Sequence, residues 1–174
     1  LLVWGFIFWI LTSLRLIQNT PAGILFALAL VIGLSVWAGW GRWRTIRMWI
    51  KAHGRLILVL EIIFLACFLF LAVVRMAVPD ATGTEKPMEL AFINAVLQSD
   101  TFPPHDPWLA GYAISYYHFG YILAGMLAKI TGTSGGSAFN LMLVSVFSLS
   151  GLSAYGILYN LLSAFGKRAK GVAR

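Results

Sequence analysis

Six carboxylates occur in 174 residues, and five of them, Asp80, Glu85, Glu89, Asp100 and Asp106, fall between positions 80 and 106. A carboxylate held beside a hydroxyl can take its proton, so this concentration of acids marks where chemistry is to be sought. Cations flank the same stretch, with Arg75 before it and Lys86 inside it. Behind the acids stand His105, Asp106 and Trp108, followed by Tyr112, Tyr116, Tyr117, His118 and Tyr121. An interfacial aromatic belt accounts for such tyrosines at a membrane edge, and a hydrogen bond within a bundle accounts for His118. The functional alternative is a wall of rings against which a ligand packs. The sixth acid, Glu61, and Arg75 both lie within one apolar run. Spaced about 21 Å apart along a helix, they cannot pair with each other. Charges inside a membrane are costly and mark a function or a partner. Glu61 reads as a structural partner for another helix, while Arg75 either snorkels to the interface or holds an anionic headgroup.

The elements that must position these residues follow from composition. The chain is 60% hydrophobic and 11% charged, with a mean hydropathy of +0.84, too little polar surface to coat a water-soluble globule of this size. A soluble enzyme and a disordered chain are both excluded. A lone cysteine, Cys67, excludes a disulfide framework and a Cys-rich metal cluster, and reads as core. The net charge of +7 does not point to nucleic acid, because the cations sit beside runs long enough to cross a bilayer. Five runs are candidates for membrane helices: residues 1–16, 21–40, 56–78, 110–130 and 138–164. The fold class expected is all-α, a polytopic membrane protein of about five transmembrane helices. The first run, opening without a Met, reads as part of something longer, and no signal-peptide cleavage site follows it.

Between the second and third runs lie Arg42, Arg44, Arg47, Lys51 and Arg55, interleaved with Trp43, Ile46, Trp49 and Ile50. This is the pattern of a basic interfacial helix, and the positive-inside rule puts it in the cytoplasm. Anionic-lipid contact is the plain reading and a phosphate cradle the functional one. The third run then leads outward, making 79–109 an external loop. Counted onward through five spans, the tail cations Lys167, Arg168, Lys170 and Arg174 would also lie outside, against the same rule.

A loop of about thirty residues is far longer than a connection requires, which favours a functional one. Within it, 87–99 places Met88, Ala91, Phe92, Ala95 and Val96 at the spacing of an amphipathic helix too short to span. Pro87 suits its first turn, with Glu85 just before the start and Glu89 one turn in, and the helix is expected on the membrane surface. Pro79 and Gly83 should separate it from the third run. Pro103, Pro104 and Pro107 should hold His105, Asp106 and Trp108 in an extended segment. In the fourth run, Tyr117 and Tyr121 would share a helix face.

These residues carry a resemblance. Glu61, Phe64 and Phe68, then Arg75, Pro79 and Asp80, the words Gly-Thr-Glu-Lys-Pro-Met-Glu at 83–89 and Asp-Pro-Trp-Leu-Ala-Gly-Tyr at 106–112, and Tyr116-Tyr117-His118-Phe119-Gly120-Tyr121 together resemble the YYY family of large archaeal and bacterial membrane proteins, named for a tyrosine triplet. The likeness covers roughly 61–159. Two positions depart from the pattern: His118 stands for the third tyrosine, and Glu89 stands where Asp is expected. More distantly, the arrangement is similar to the start of the GT-C glycosyltransferase fold, whose members use polyprenyl-phosphate sugars. That resemblance implies that 56–174 begins a GT-C-like core, with 1–55 an N-terminal addition of two helices and a basic loop. It also implies that the acidic motif falls at Glu85, with Glu89 a second candidate, and that most donor-binding groups lie downstream in the full-length chain.

Sugar transfer from a lipid phosphate needs a base for the acceptor, cations for the departing phosphate and a site at the membrane surface. Glu85 or Glu89 is a candidate base, and Arg75 or Lys86 a candidate phosphate partner. Trp108, Tyr112, Tyr116, Tyr117, His118 and Tyr121 would line the sugar or isoprenoid, and His105 with Asp106 would hold the acceptor or a divalent metal ion. The expected partners are membrane lipid and a lipid-linked sugar donor. A transporter or flippase component, with Glu61 and Arg75 on a polar pathway, and a non-catalytic scaffold with a docking loop are the competing functions.

Overall fold

The computed structural model describes the backbone of residues 1–172 and the side chains of residues 1–165. Among the described residues seven helices follow in order: α1 (Leu2–Ser13), α2 (Pro21–Gly39), α3 (Trp43–Ala52), α4 (Gly54–Ala77), α5 (Lys86–Gln98), α6 (Phe119–Thr131) and α7 (Gly135–Val172). Three stretches are long and apolar enough to cross a membrane, Pro21–Gly39, Gly54–Ala77 and Gly135–Phe165. The helices α1 and α6 are apolar but shorter. The chain is therefore an all-helical, polytopic membrane protein. The tail cations Lys167, Arg168, Lys170 and Arg174 lie outside the described side chains.

Local chemistry sets the helix ends. Pro21 opens α2, and the Thr20 hydroxyl accepts the Gly23 N–H at 3.2 Å, satisfying one of the N–H groups a helix start leaves unpaired. At its far end Gly41 adopts φ +84°, a conformation that favours glycine, and the chain turns into α3. Helix α4 stops at Ala77 ahead of Pro79, and α5 begins eight residues beyond Val78, so the two are separate as expected.

The chain divides into two compact units. The first comprises Leu1–Ile46 and Pro79–Met142. Its core is Phe8 of α1, Ile24 and Ala27 of α2, Val96 of α5, Phe102, and Ile122, Leu123 and Met126 of α6. Close approach makes this packing possible: a Cβ at Gly125 would lie 2.5 Å from Val96 Cγ1, so α6 meets α5 through a position where only glycine fits. Phe8 and Phe102 pack edge to face at 5.6 Å, tying α1 to the segment after α5.

A buried asparagine pins the start of α2 to the end of α5. Asn19 donates through Nδ2 to the carbonyls of Val96 and Ser99, both at 2.7 Å, and its N–H donates to Asp100 O at 2.8 Å. Lys129 near the end of α6 donates to Asn19 O. A Cβ at Gly135 would collide with Asn94, and Asn140 donates to Pro79 O at 3.1 Å, so α7 starts beside the same group of chain ends. The starts of α2 and α7 and the ends of α5 and α6 thus share one end of this unit. The corner into α3 lies at the other end of α2, roughly 28 Å along the helix.

The second unit holds Arg47–Val78 and the chain from Leu143 onward. Here Cys67 of α4 is half-buried, its sulfur facing Gly151 of α7, where a Cβ would lie only 2.9 Å away. Phe70 and Phe147 meet at 6.2 Å between ring centroids.

The fourth apolar run differs from expectation. Its helix starts at Phe119, not near residue 110, and covers 13 residues, about 20 Å. The preceding segment is tied into a turn: Asp106 Oδ1 accepts the N–H groups of Trp108 (2.8 Å) and Leu109 (3.0 Å), and Gly111 sits at φ +87°. Asp106 N–H donates to Tyr112 O at 2.9 Å and Ile114 N–H to Pro104 O at 2.9 Å. Backbone groups committed to this folded-back segment cannot join a helix. Two expectations are corrected with it. The segment around His105, Asp106 and Trp108 is a tight reversal bridged from His105 to Ala113, not an extended strand. Tyr117 precedes α6 and so shares no helix face with Tyr121.

Candidate functional site

The first turn of α5 carries the acids. Glu85 occupies its N-cap and is exposed, and Glu89 lies one turn in and is half-buried, its N–H donating to Glu85 O at 3.0 Å. A negative side chain here is favoured by the unpaired N–H groups and the positive end of the helix dipole. Lys86, the first residue of α5, is half-buried between them in sequence.

One turn further on, Phe92 is buried and acts as a hub of rings. Trp108 packs edge-on at 5.5 Å, Tyr121 at 5.4 Å and Tyr116 at 5.9 Å between centroids. Tyr116 in turn lies 3.9 Å from the Tyr117 ring and donates its hydroxyl to Tyr117 Oη at 2.8 Å. That hydrogen bond is the main reason the Tyr116 phenol is pushed up to about 12, with partial desolvation, Tyr117 and the charges of Glu85 and Glu89 adding to it. Tyr116 is accordingly a neutral donor at ordinary pH, close enough to both acids to feel their charge. Glu85, Glu89, Tyr116, Tyr117, Tyr121 and Trp108, far apart in the sequence, form one acidic and aromatic cluster about the first half of α5.

Other expected site residues are placed elsewhere. His105 and Asp106 line a separate hollow of about 450 Å³ with Ala91, Asn94, Gln98 and Ser99. Asp106 already uses one oxygen to hold its own turn, and the His105 N–H donates to Ser99 Oγ at 3.1 Å. Among the described residues no group of three or more His, Cys, Asp or Glu side chains could hold a metal ion, so His105 and Asp106 do not by themselves make a metal centre. His118 is the N-cap of α6, with Nδ1 3.0 Å from Tyr116 O and its ring edge-on to Trp9. It positions the tyrosine pair from behind. Tyr112 contributes its carbonyl to the Asp106 turn and leaves its ring exposed. Arg75 and Glu61 belong to α4, in the second unit.

Sequence reasoning missed two residues. Phe92 was expected on the apolar stripe of α5 but not as the centre of the ring cluster, because its partners lie 16 to 29 positions away. Asn19 carries one available signal, a polar side chain between apolar runs, two residues before the proline that opens α2. It emerges as the buried tie between α2 and α5.

Among the described residues, three long apolar helices and shorter apolar ones define the class: a multi-pass helical membrane protein. The chain belongs to the family described as "Uncharacterized membrane protein (DUF2298)", whose family model matches residues 3–173. Comparison with curated proteins and with solved structures gives no match.

Proposed function

We propose that this chain forms the opening part of a membrane glycosyltransferase of the GT-C kind, related to the YYY proteins, that transfers sugar from a polyprenyl-phosphate donor on the extracytoplasmic side. The observation that carries the reading is the juxtaposition of Glu85 and Glu89 with the ring cluster of Phe92, Trp108, Tyr116 and Tyr121. A sugar packs its apolar face on aromatic rings while its hydroxyls reach the surrounding acceptors and donors. Glu85, the more open of the two acids, takes the proton of the acceptor hydroxyl, and Glu89 shapes the field around it. The Tyr116–Tyr117 pair offers a neutral hydroxyl to the sugar, and Lys86 meets the departing phosphate.

Sidedness is supported by helix parity. Pro21–Gly39, Gly54–Ala77 and Gly135–Phe165 are each long and apolar enough for one crossing, and α6 is shorter. With one crossing for each of the first two, the positive-inside rule favours the basic α3 in the cytoplasm and the stretch that follows α4 outside.

The test is turnover of a polyprenyl-phosphate-linked sugar by the full-length protein. Glu85→Gln should lower the rate by on the order of 10² to 10⁴ while expression and membrane insertion persist, and Glu89→Gln should lower it less. Wild-type rates in both variants would remove the proposed chemistry and favour a docking loop or a transporter gate.

A further inference from the structure

The corner between α2 and α3 holds a second feature that the proposed reaction does not use. Here Ser35, Val36, Gly39, Trp40, Trp43 and Ile46 line a hollow of about 480 Å³, within the size range of small-molecule and lipid pockets. Its lining is apolar apart from Ser35, whose hydroxyl is already committed to Val31 O at 2.7 Å. No unpaired side-chain hydroxyl therefore faces a guest, and the hollow suits a hydrocarbon chain. Gly39 is what opens it, since a Cβ there would meet only Ile46 Cδ1, at 3.8 Å.

Charge around the hollow is of one sign. Arg42 and Arg44 are exposed and alternate in sequence with the lining residues Gly41 and Trp43, and no acidic residue occurs in the first sixty positions. Trp37, Trp40 and Trp43 are 77%, 81% and 72% exposed, an arrangement suited to the headgroup level of a bilayer, where indoles settle with the ring in the apolar layer and the N–H toward water. A soluble protein partner would leave the cations without counter-charges at a depth occupied by lipid phosphates. A zwitterionic lipid brings its own cation to the same place. The chemistry that fits both halves is a single molecule with an acyl chain and a net negative phosphate.

We propose that the α2–α3 corner is a binding site for an anionic phospholipid, with an acyl chain in the hollow and the phosphate at Arg42 and Arg44. Occupancy would hold α3 flat against the membrane at the end of α2 farthest from the acidic cluster. The lipid class follows from the site itself, and only the leaflet depends on the sidedness proposed above.

The test is lipid association by electron spin resonance, with the full-length protein reconstituted in bilayers containing spin-labelled phosphatidylglycerol or spin-labelled phosphatidylcholine. The anionic probe should associate more strongly by roughly a factor of five per cation, and Arg42→Gln with Arg44→Gln together should abolish the preference. Gly39→Leu fills the hollow without changing charge and should abolish the preference as well. Val36→Trp fills it from the exposed face of α2 and gives the same reading if the first variant folds poorly. Equal association of the two probes with the wild-type protein would overturn the proposal. So would a preference that survives both filling variants, since that is diffuse attraction to a basic surface, or one that survives loss of both arginines.

Discussion

Helix α3 spans ten residues and buries none of them, whereas α5 spans thirteen and buries Phe92, Ile93, Ala95 and Val96. Both are amphipathic, both are too short to cross a bilayer, and both follow a long apolar helix. Their charges differ: Arg44, Arg47 and Lys51 without an acid on α3, and Lys86 and Glu89 on α5 with Glu85 at its N-cap position. The difference teaches that an apolar stripe alone does not distinguish a helix that floats on lipid from one docked in protein. What distinguishes them is the chain that follows. After α3 the chain leaves at once into α4. After α5 it folds back through Phe102, Ile114 and α6, which cover the stripe.

The largest expected effect breaks this contrast at its apolar side. Phe92→Ala removes the hub of the ring cluster from a buried position and should cost about 3–5 kcal/mol of unfolding free energy. Trp49→Ala, an equally large deletion on exposed α3, should change it by no more than about 0.5 kcal/mol. Denaturant titration in detergent checks both, and equal losses would mean that α3 is docked like α5.

A smaller effect is expected where α5 is anchored. Asn19→Leu removes the two side-chain hydrogen bonds to the Val96 and Ser99 carbonyls, at a net cost of about 0.5–1.5 kcal/mol each. Protease protection of the 99–105 segment should fall with it. Retained protection would show that packing alone holds α5 to the start of α2.

The smallest effect sharpens the site electrostatics. Tyr117→Phe deletes the acceptor that holds the Tyr116 proton, so the Tyr116 phenol should titrate at lower pH than its present value of about 12, moving toward the ordinary value near 10. Because the folded state binds this proton more tightly, its contribution to stability is present below pH 10 and lost as pH rises toward 12. Ultraviolet titration of phenolate absorbance in the variant reads the shift, and an unmoved curve would separate the two rings.

Much of this contrast was legible in the sequence. The bounds of α2 follow from Pro21 and the length of the apolar run, α4 from an apolar run that Glu61 and Arg75 interrupt only singly, and α5 from Pro87 and the spacing of Met88, Phe92, Ala95 and Val96. The acids of the cluster were visible because the rest of the chain has so few. The fourth run misled because Trp108, Leu109, Ala110, Tyr112 and Ala113 have the composition of a span, while the Asp106 turn and the left-handed Gly111 are decided by backbone hydrogen bonds that composition does not report. The union of Phe92 with Trp108, Tyr116 and Tyr121 depends on Gly125 admitting Val96, a tertiary event with no local signature. Splitting His105 and Asp106 from the acids of α5 belongs to the same class of event.

The central claim is that α3 and the acidic cluster of α5 lie on opposite faces of the membrane, and thiol labelling addresses it directly. With Cys67 replaced by Ala, single cysteines at Thr82→Cys, ahead of α5, and Lys51→Cys, on α3, report the two sides. In intact cells a membrane-impermeant maleimide should label Thr82→Cys and should reach Lys51→Cys only after permeabilisation. Labelling of both positions from the same side, or of Lys51→Cys alone in intact cells, would contradict the account.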